Sequence, residues 1–297
     1  MVAIILINGK ALFCQKFAII DDFYNWCSLT QAISPFIPFI SYEDQQVITR
    51  LCVQCGLLLM QYGAESVVVV DLTKRLGRAL GVVSVECALS FNALTLTTLY
   101  NGRCITTTRH STHQGINVAV LVRIGHIVMD AEKCRPTNLH TVQQALIALD
   151  KTPYPAPLVA CFVGLSCACF AYLHSQSGTI FSVTLIAATL AMSARLLLIK
   201  KHFNAFIAAM AAALVATFIG SSVYFAPFAH PKAEVAVAAS ILLLVPSFPI
   251  INALSDVLKG YITMGVGRFL WASMLSLSAC VGIVSALLLL GIADWGL

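Results

Sequence analysis

Long apolar runs occupy the second half of the chain, whereas the first half alternates short apolar and polar segments. After Pro157, five segments approach the ~20 apolar residues that an α-helix needs to cross the hydrocarbon core of a bilayer. They are residues 157–174, 179–199, 205–226, 234–254 and 269–292. The pattern predicts an integral membrane α-helical bundle with five spans, surrounded by lipid.

Between residues 41 and 150 the pattern is typical of a compact cytoplasmic α+β domain. Ser41 is suited to cap a helix that runs to about Tyr62 and stops at Gly63. A hairpin is predicted at Asn101-Gly102, because a type I′ turn needs positive φ at both central residues. The other predicted elements are helices over 64–80, 116–134 and 138–149 and a strand-rich segment over 82–100.

The predicted organisation has four parts. A poorly ordered or atypical leader (1–40) precedes the α+β domain (41–150), a Pro-rich linker (151–157) and a five-span transmembrane domain (158–297). The leader lacks the basic start of a secretory signal.

Composition and charge agree with a membrane protein. The chain is 59% hydrophobic and 10% charged, against about 25% charged residues in soluble domains. Twelve of its 18 Lys and Arg precede residue 156, and no basic run accompanies the net charge of +5. We therefore expect no nucleic acid partner.

The basic residues also predict an orientation. Five of them flank one set of loops, and Lys232 stands on the opposite side; the five are Arg195, Lys200, Lys201, Lys259 and Arg268. The positive-inside rule then places the N-terminus in the cytoplasm and the C-terminus, residues 294–297, outside.

The fourth predicted span is broken by polar residues. Pro246 and Pro249 each remove a backbone N–H and disturb a helix, and Asn252 and Asp256 follow at a spacing that puts both on one helical face. Freed backbone groups are tolerated in a bilayer only where protein or water satisfies them. An ionisable residue near such a break is a candidate functional site.

These residues suggest secondary export of a carboxylate. A half-helix N-terminus near Ile250 would attract the carboxylate, Asn252 would hydrogen-bond it, and Asp256 would bind or release a coupling proton. Arg195 and Arg268 would pair with a dicarboxylate or with Asp256. The alternatives are that Asp256 marks a helix end and that both arginines serve only the orientation.

Other candidate features favour structural roles. Glu65 and Ser66 are typical of a helix start, and the stripe Ala208, Ala212, Ala216 and Gly220 either lets a helix approach closely or reflects alanine usage alone. Cys52-x-x-Cys55 lies inside a predicted helix, and Cys104, His110 and His113 lie near a turn. We expect no metal, no cofactor and no enzymatic activity, because nucleotide, hydrolase and metalloprotease motifs are missing from the sequence.

Several segments resemble the threonine/serine exporter family. They are Cys55–Ser66 (C-G-L-L-L-M-Q-Y-G-A-E-S), Arg75–Gly81, Thr106–Arg109, Gly115–Asn117 and the spacing P-x-x-P-x-x-N-x-x-x-D-x-x-x-G from Pro246 to Gly260. The similarity runs from about residue 44 to the C-terminus. Family members usually carry glycine after the first proline of the last motif, and this chain has Ser247.

Within that family, the chain most resembles the larger subunit of two-component bacterial exporters implicated in succinate efflux. The resemblance implies a bacterial inner-membrane protein that acts with a smaller multi-span membrane subunit. Two alternatives stay open: a threonine/serine exporter of the same architecture, and a non-transporting membrane sensor or assembly subunit.

Overall fold

The computed structural model describes residues 40–111, 115–134, 138–149, 152, 154–225 and 232–291. The predicted leader, apart from Ile40, lies outside these residues, as do His113 and the predicted external C-terminus. Within the described residues the chain is mostly helical, with a three-stranded sheet near its start. We call residues 40–149 the front part and residues 154–291 the helical bundle.

The front part folds its helices around a small sheet. Its elements are α1 (Tyr42–Gln61), α2 (Ser66–Ala79), β1 (Ser84–Ser90), β2 (Ala93–Tyr100), β3 (Arg103–His110), α3 (Val118–Lys133) and α4 (Leu139–Ile147). Ser41 caps α1 as predicted, since its hydroxyl oxygen accepts from the backbone N–H of Asp44 at 3.1 Å. Gly63 follows the end of α1 with φ of 88°, a conformation that only glycine adopts cheaply.

The strands form an antiparallel sheet in the order β1-β2-β3. Asn101 and Gly102 join β2 to β3 with φ of 46° and 73°, which confirms the predicted hairpin. A second two-residue turn, Phe91–Asn92, joins β1 to β2. Val85, Leu94 and Leu96 of the sheet are buried with α1 and α2 in one hydrophobic core.

The bundle supplies helices that are long and apolar enough to cross a membrane. They are α5 (Ala156–Ser175), α6 (Gly178–Lys200), α7 (Ala205–Gly220, extended by a 3₁₀ turn to Tyr224) and α10 (Ile262–Leu290). A bent pair, α8 (Ala233–Ile241, extended by a 3₁₀ turn to Leu244) and α9 (Ser247–Leu258), meets at 56°. Counted as one span, this pair gives up to five among the described residues.

Small residues allow the bundle helices to approach closely. The predicted stripe of Ala208, Ala212, Ala216 and Gly220 is fully buried on α7. A Cβ atom at Gly220 would lie 3.2 Å from the Cα atom of Val237 on α8. The stripe therefore serves helix packing, the first of the two interpretations considered above.

Helix α10 packs against both the other bundle helices and the front part. It begins at Ile262, seven residues before the predicted span, and its 29 residues extend about 43 Å at 1.5 Å per residue. The hydrocarbon core of a bilayer is only about 30 Å thick. The extra turns lie against the front part, where Met264 joins the hydrophobic core and Tyr261 packs on it. Hydropathy alone missed these turns because they carry Arg268 and two glycines.

Candidate functional site between the front part and the bundle

The helix break is narrower than the two prolines predicted. Backbone order is lost only at Val245 and Pro246, and α9 begins at Ser247. Pro249 lies in the first turn of α9, where a missing N–H costs no intrahelical hydrogen bond. The half-helix N-terminus is therefore at Ser247, three residues before the position near Ile250 that the sequence predicts.

Asp256 on α9 and Arg268 on α10 form a buried ion pair. The Nη1 atom of Arg268 lies 2.7 Å from Oδ2 of Asp256, whose side chain is fully buried. The other oxygen, Oδ1, accepts from the backbone N–H of Ser66 at 2.9 Å. Ser66 is the first residue of α2, and the preceding Glu65 makes no side-chain cap. Asp256 thus supplies, from the bundle, the carboxylate that the N-terminus of α2 favours.

Three more hydrogen bonds join the same loop of the front part to the bundle. Nη2 of Arg268 donates to the carbonyl of Ala64 at 2.6 Å, and Nδ2 of Asn252 donates to the carbonyl of Gly63 at 2.9 Å. At the rim, Nζ of Lys259 donates to Oε2 of Glu65 at 2.6 Å. Residues 63–66, which we call the docking loop, therefore each bond to α9, to α10 or to Lys259 at the end of α9.

A cavity of about 230 Å³ lies beside this docking loop. Its polar or charged side chains belong to Ser111, Arg195, Asn252 and Arg268. The remaining lining residues are apolar or glycine: Met60, Gly63, Phe91, Gly115, Ile116, Phe248, Pro249, Met264 and Trp271. Both the front part and three bundle helices, α6, α9 and α10, thus contribute to one cavity.

The cavity is cationic. Arg195 and Arg268 line it, and no Asp or Glu does among the described residues. Arg268 is neutralised by Asp256, whereas Arg195 makes no hydrogen bond or ion pair with any described side chain or carbonyl. A partly buried guanidinium without a partner is costly in a membrane protein. The arrangement is therefore suited to bind an anion.

The structure brings together most of the residues singled out from the sequence. Asp256, Asn252 and Arg268 meet at the docking loop, and Arg195 and Pro249 line the cavity beside them. Two candidates lie apart. Pro246 is buried at the helix break and Ser247 is exposed, and neither lines the cavity.

The contribution of the front part was missed by sequence reasoning. Glu65 and Ser66 were interpreted as a helix start, which they are, but their contacts with α9 were not foreseen. The resemblance motif that ends in Gly-Ala-Glu-Ser, residues 63–66, was the available signal. Phe91 and Ser111 carried no signal, because each lies at the end of an ordinary strand.

The cysteines and histidines do not form a second site among the described residues. No group of three metal-ligating side chains occurs there. Cys52 and Cys55 are fully buried in the front part, and burial raises the pKa of the Cys55 thiol to about 12. These thiols are packing residues at neutral pH.

The apolar helices are those of a helical membrane protein. The break at Val245 and Pro246 lies beside buried charged residues and a cationic cavity. Together these features define a protein of the transporter class. Residues 50–290 match the family described as "Putative threonine/serine exporter". The chain belongs to this family, and the match covers most of the front part, nearly all of the bundle and every residue of the cavity.

Two relatives are similar over most of the chain, and a third over about half of it. A protein of Escherichia coli (strain K12) named "Probable succinate transporter subunit YjjP" is 44% identical over 253 residues, 85% of this chain and 98% of that protein. A protein of the same name from Klebsiella aerogenes is 42% identical over equal shares. An uncharacterised protein of Haemophilus influenzae is 46% identical over 146 residues, 49% of each chain. The comparison with solved structures gave no match.

Proposed function

We propose that this chain is a subunit of an inner-membrane secondary exporter of small dicarboxylates, with succinate as the first candidate. The observation that carries the substrate class is the cavity, in which Arg195 and Arg268 are accompanied by no lining carboxylate among the described residues. Two guanidinium groups match two carboxylates. The names of the relatives from Escherichia coli and Klebsiella aerogenes support the same substrate.

A threonine or serine substrate fits the cavity less well. Such a zwitterion needs an acidic group for its ammonium as well as a cation for its carboxylate. Asp256 is the nearest candidate, but its side chain is fully buried and both its oxygens are bonded. Arg195 would in addition repel the ammonium.

Charge balance suggests how a proton takes part. Arg195, Arg268 and an ionised Asp256 carry two positive charges and one negative charge. Binding a dianion would leave one uncompensated negative charge in a poorly hydrated site, which is costly. Protonation of Asp256 removes that excess and frees Arg268 for the substrate. One proton is therefore taken up for each dicarboxylate bound.

The proposal places the front part in the cytoplasm. Lys200 and Lys201 end α6, and Lys259 lies beside the docking loop, so the basic residues gather on the side of the front part. The positive-inside rule makes this side cytoplasmic and the C-terminus periplasmic. Substrate then reaches the cavity from the cytoplasm, past the docking loop.

A partner completes the exporter in this proposal. The relatives are named as subunits, and the chain has up to five membrane-crossing units among its described residues. We assign the missing part of the pathway to a smaller multi-span membrane subunit.

Efflux from cells tests the proposal. The chain is expressed with and without its partner in cells that lack other dicarboxylate exporters, and succinate and threonine efflux are followed in parallel. Succinate efflux that needs both proteins, with threonine efflux at background, is expected. Export of threonine alone would establish the amino-acid alternative, and export of neither, with both proteins present in the membrane, would favour a sensor or assembly subunit.

The proton is tested separately in proteoliposomes. Succinate binding to the wild-type pair should be accompanied by proton uptake, read from a pH-sensitive dye. In Asp256→Asn the amide imitates the protonated acid, so succinate should still bind without proton uptake. Unchanged proton uptake in this variant would show that Asp256 is not the proton site.

A further inference from the structure

The front wall of the cavity is a phenylalanine that fits against a glycine of the bundle. Phe91, in the turn between β1 and β2, lines the cavity and lies on α10 at Gly267. A Cβ atom at position 267 would lie 2.7 Å from Cβ and 2.9 Å from Cγ of Phe91. Since real Cβ atoms are essentially never closer than 3.0 Å to a neighbour, Phe91 can occupy this place only because residue 267 has no side chain.

The position of Phe91 is fixed by the sheet. Ser90 pairs with Ala93 on either side of the turn, and the backbone N–H of Ser111 donates to the carbonyl of Asn92 at 2.7 Å. Ser111, the residue that follows β3, therefore ties this turn to the third strand. Ser111 itself lines the cavity, so the wall and its support form one unit of the front part.

The apolar residues that line the cavity next to Phe91 would contact the methylene groups of a substrate. Met60, Phe248, Met264 and Trp271 belong, with Phe91, to the apolar lining of the cavity. The methylene groups of a dicarboxylate would lie against these side chains while its carboxylates meet the arginines. A ring fixed in the wall beside them restricts the length of methylene chain that the cavity accepts.

We infer that Phe91 is a specificity-determining residue that limits the substrate to short dicarboxylates. Gly267 is the positioning residue, because the ring of Phe91 packs against its backbone. The inference rests on the proposed function, because it names the length limit of the same site. Glycine is disfavoured in the interior of a helix relative to alanine. Contact with Phe91 supplies a reason for glycine at this position of α10.

The test compares dicarboxylates of four, five and six carbons in proteoliposomes containing the chain and its partner. Succinate, glutarate and adipate are offered to wild type, Phe91→Ala, Gly267→Ala and the double variant. Phe91→Ala, which removes the ring, should raise the adipate-to-succinate efflux ratio roughly tenfold or more, since one methylene in an apolar pocket changes selectivity by about 10–200-fold. Gly267→Ala should also change the ratio, because its methyl group forces the ring out of the position that it occupies in wild type. The double variant should equal Phe91→Ala, because once the ring is removed the methyl group at position 267 has no ring to displace.

Gly125→Ala is the matched control. Gly125 is also a helical glycine, on α3, but nothing lies within 4 Å of a Cβ atom built there. The adipate-to-succinate efflux ratio of Gly125→Ala should equal that of wild type. Phe91→Leu, which keeps an apolar side chain of intermediate size, provides a second variant if Phe91→Ala fails to reach the membrane, and it should change the ratio in the same direction by less.

The results separate this inference from the proposed function. If wild type exports succinate and the ratio is unchanged in correctly inserted Phe91→Leu and Gly267→Ala, Phe91 does not set the length limit, although the exporter proposal survives. If wild type exports no dicarboxylate of any length, both ideas fail together. A changed ratio in Gly125→Ala of the same size would also overturn the inference, because the effect would then not belong to the wall.

Discussion

Arg268 and Asp256 form a buried ion pair, 2.7 Å from Nη1 to Oδ2, at the point where the front part meets the bundle. The second oxygen of Asp256 binds the first N–H of α2, at Ser66, and the second amino group of Arg268 binds the carbonyl of Ala64. Residues that are 190 positions apart in the chain are thus joined through one carboxylate. Such a pair stabilises the docked arrangement only while both partners are present.

Removing the carboxylate alone should destabilise the protein strongly. Asp256→Ala leaves Arg268 buried without its partner, which costs about 3–5 kcal/mol. The double variant Asp256→Ala/Arg268→Met removes both charges, and we expect it to recover at least half of the lost thermal stability. Differential scanning fluorimetry of the purified protein in detergent measures both.

Transport distinguishes a role in the site from a role in packing alone. The double variant should remain inactive in succinate efflux although its stability is restored, because Arg268 is one of the two cations of the cavity. Wild-type efflux from the double variant would mean that the ion pair is only structural.

Gly63 of the docking loop should matter for transport as well as for stability. Its φ of 88° resembles that of Gly102 at 73°, so alanine at either position costs about 1–2 kcal/mol in backbone strain. Gly63 also accepts from Asn252 and would bring a Cβ atom to 3.1 Å from Phe248, whereas nothing lies within 4 Å at Gly102. We expect Gly63→Ala to lose at least as much stability as Gly102→Ala, and only Gly63→Ala to lose succinate efflux.

Gly102→Ala is the control in this experiment. Equal efflux from the two variants, at equal membrane levels, would show that the contact between the docking loop and α9 does not matter for transport.

Buried thiols predict a dependence on pH. Burial raises the pKa of Cys55 to about 12 and that of Cys87 to about 11, whereas an unfolded chain ionises cysteine near pH 8.5. Between these values unfolding releases protons, so the stability that these thiols contribute is complete below about pH 8 and falls as the pH rises towards 12. Unfolding midpoints measured from pH 7 to pH 10.5 should decline, and less in Cys55→Ala than in wild type.

Alkylation tests independently whether the thiols of Cys52 and Cys55 are buried. At pH 7.5, N-ethylmaleimide should modify the exposed Cys104 and leave Cys52 and Cys55 unmodified, as read by peptide mass spectrometry. Rapid modification of Cys52 in the folded protein would contradict the assignment of this C-x-x-C pair to the core.

Local patterns predicted the elements well, and the site less well. The apolar runs, the Asn101-Gly102 hairpin and the helix stop at Gly63 follow from rules that act over a few residues. The contact of Asp256 with Ser66 depends on how the front part docks on the bundle, and no local pattern encodes it. Arg268 falls just before the predicted fifth span because hydropathy is low there, yet the helix begins at Ile262 and leaves this side chain only 8% exposed.

The central claim is that the cationic cavity binds a dicarboxylate through Arg195. The direct measurement is the concentration dependence of labelled succinate counterflow in proteoliposomes that contain the chain and its partner, comparing wild type, Arg195→Gln and Lys200→Gln. A hydrogen bond to a charged group contributes about 1.5–3 kcal/mol, so Arg195→Gln should raise KM roughly 10–150-fold. Lys200→Gln, on the same helix but outside the cavity, should leave KM unchanged. An unchanged KM in Arg195→Gln, with equal protein in the vesicles, would contradict the account.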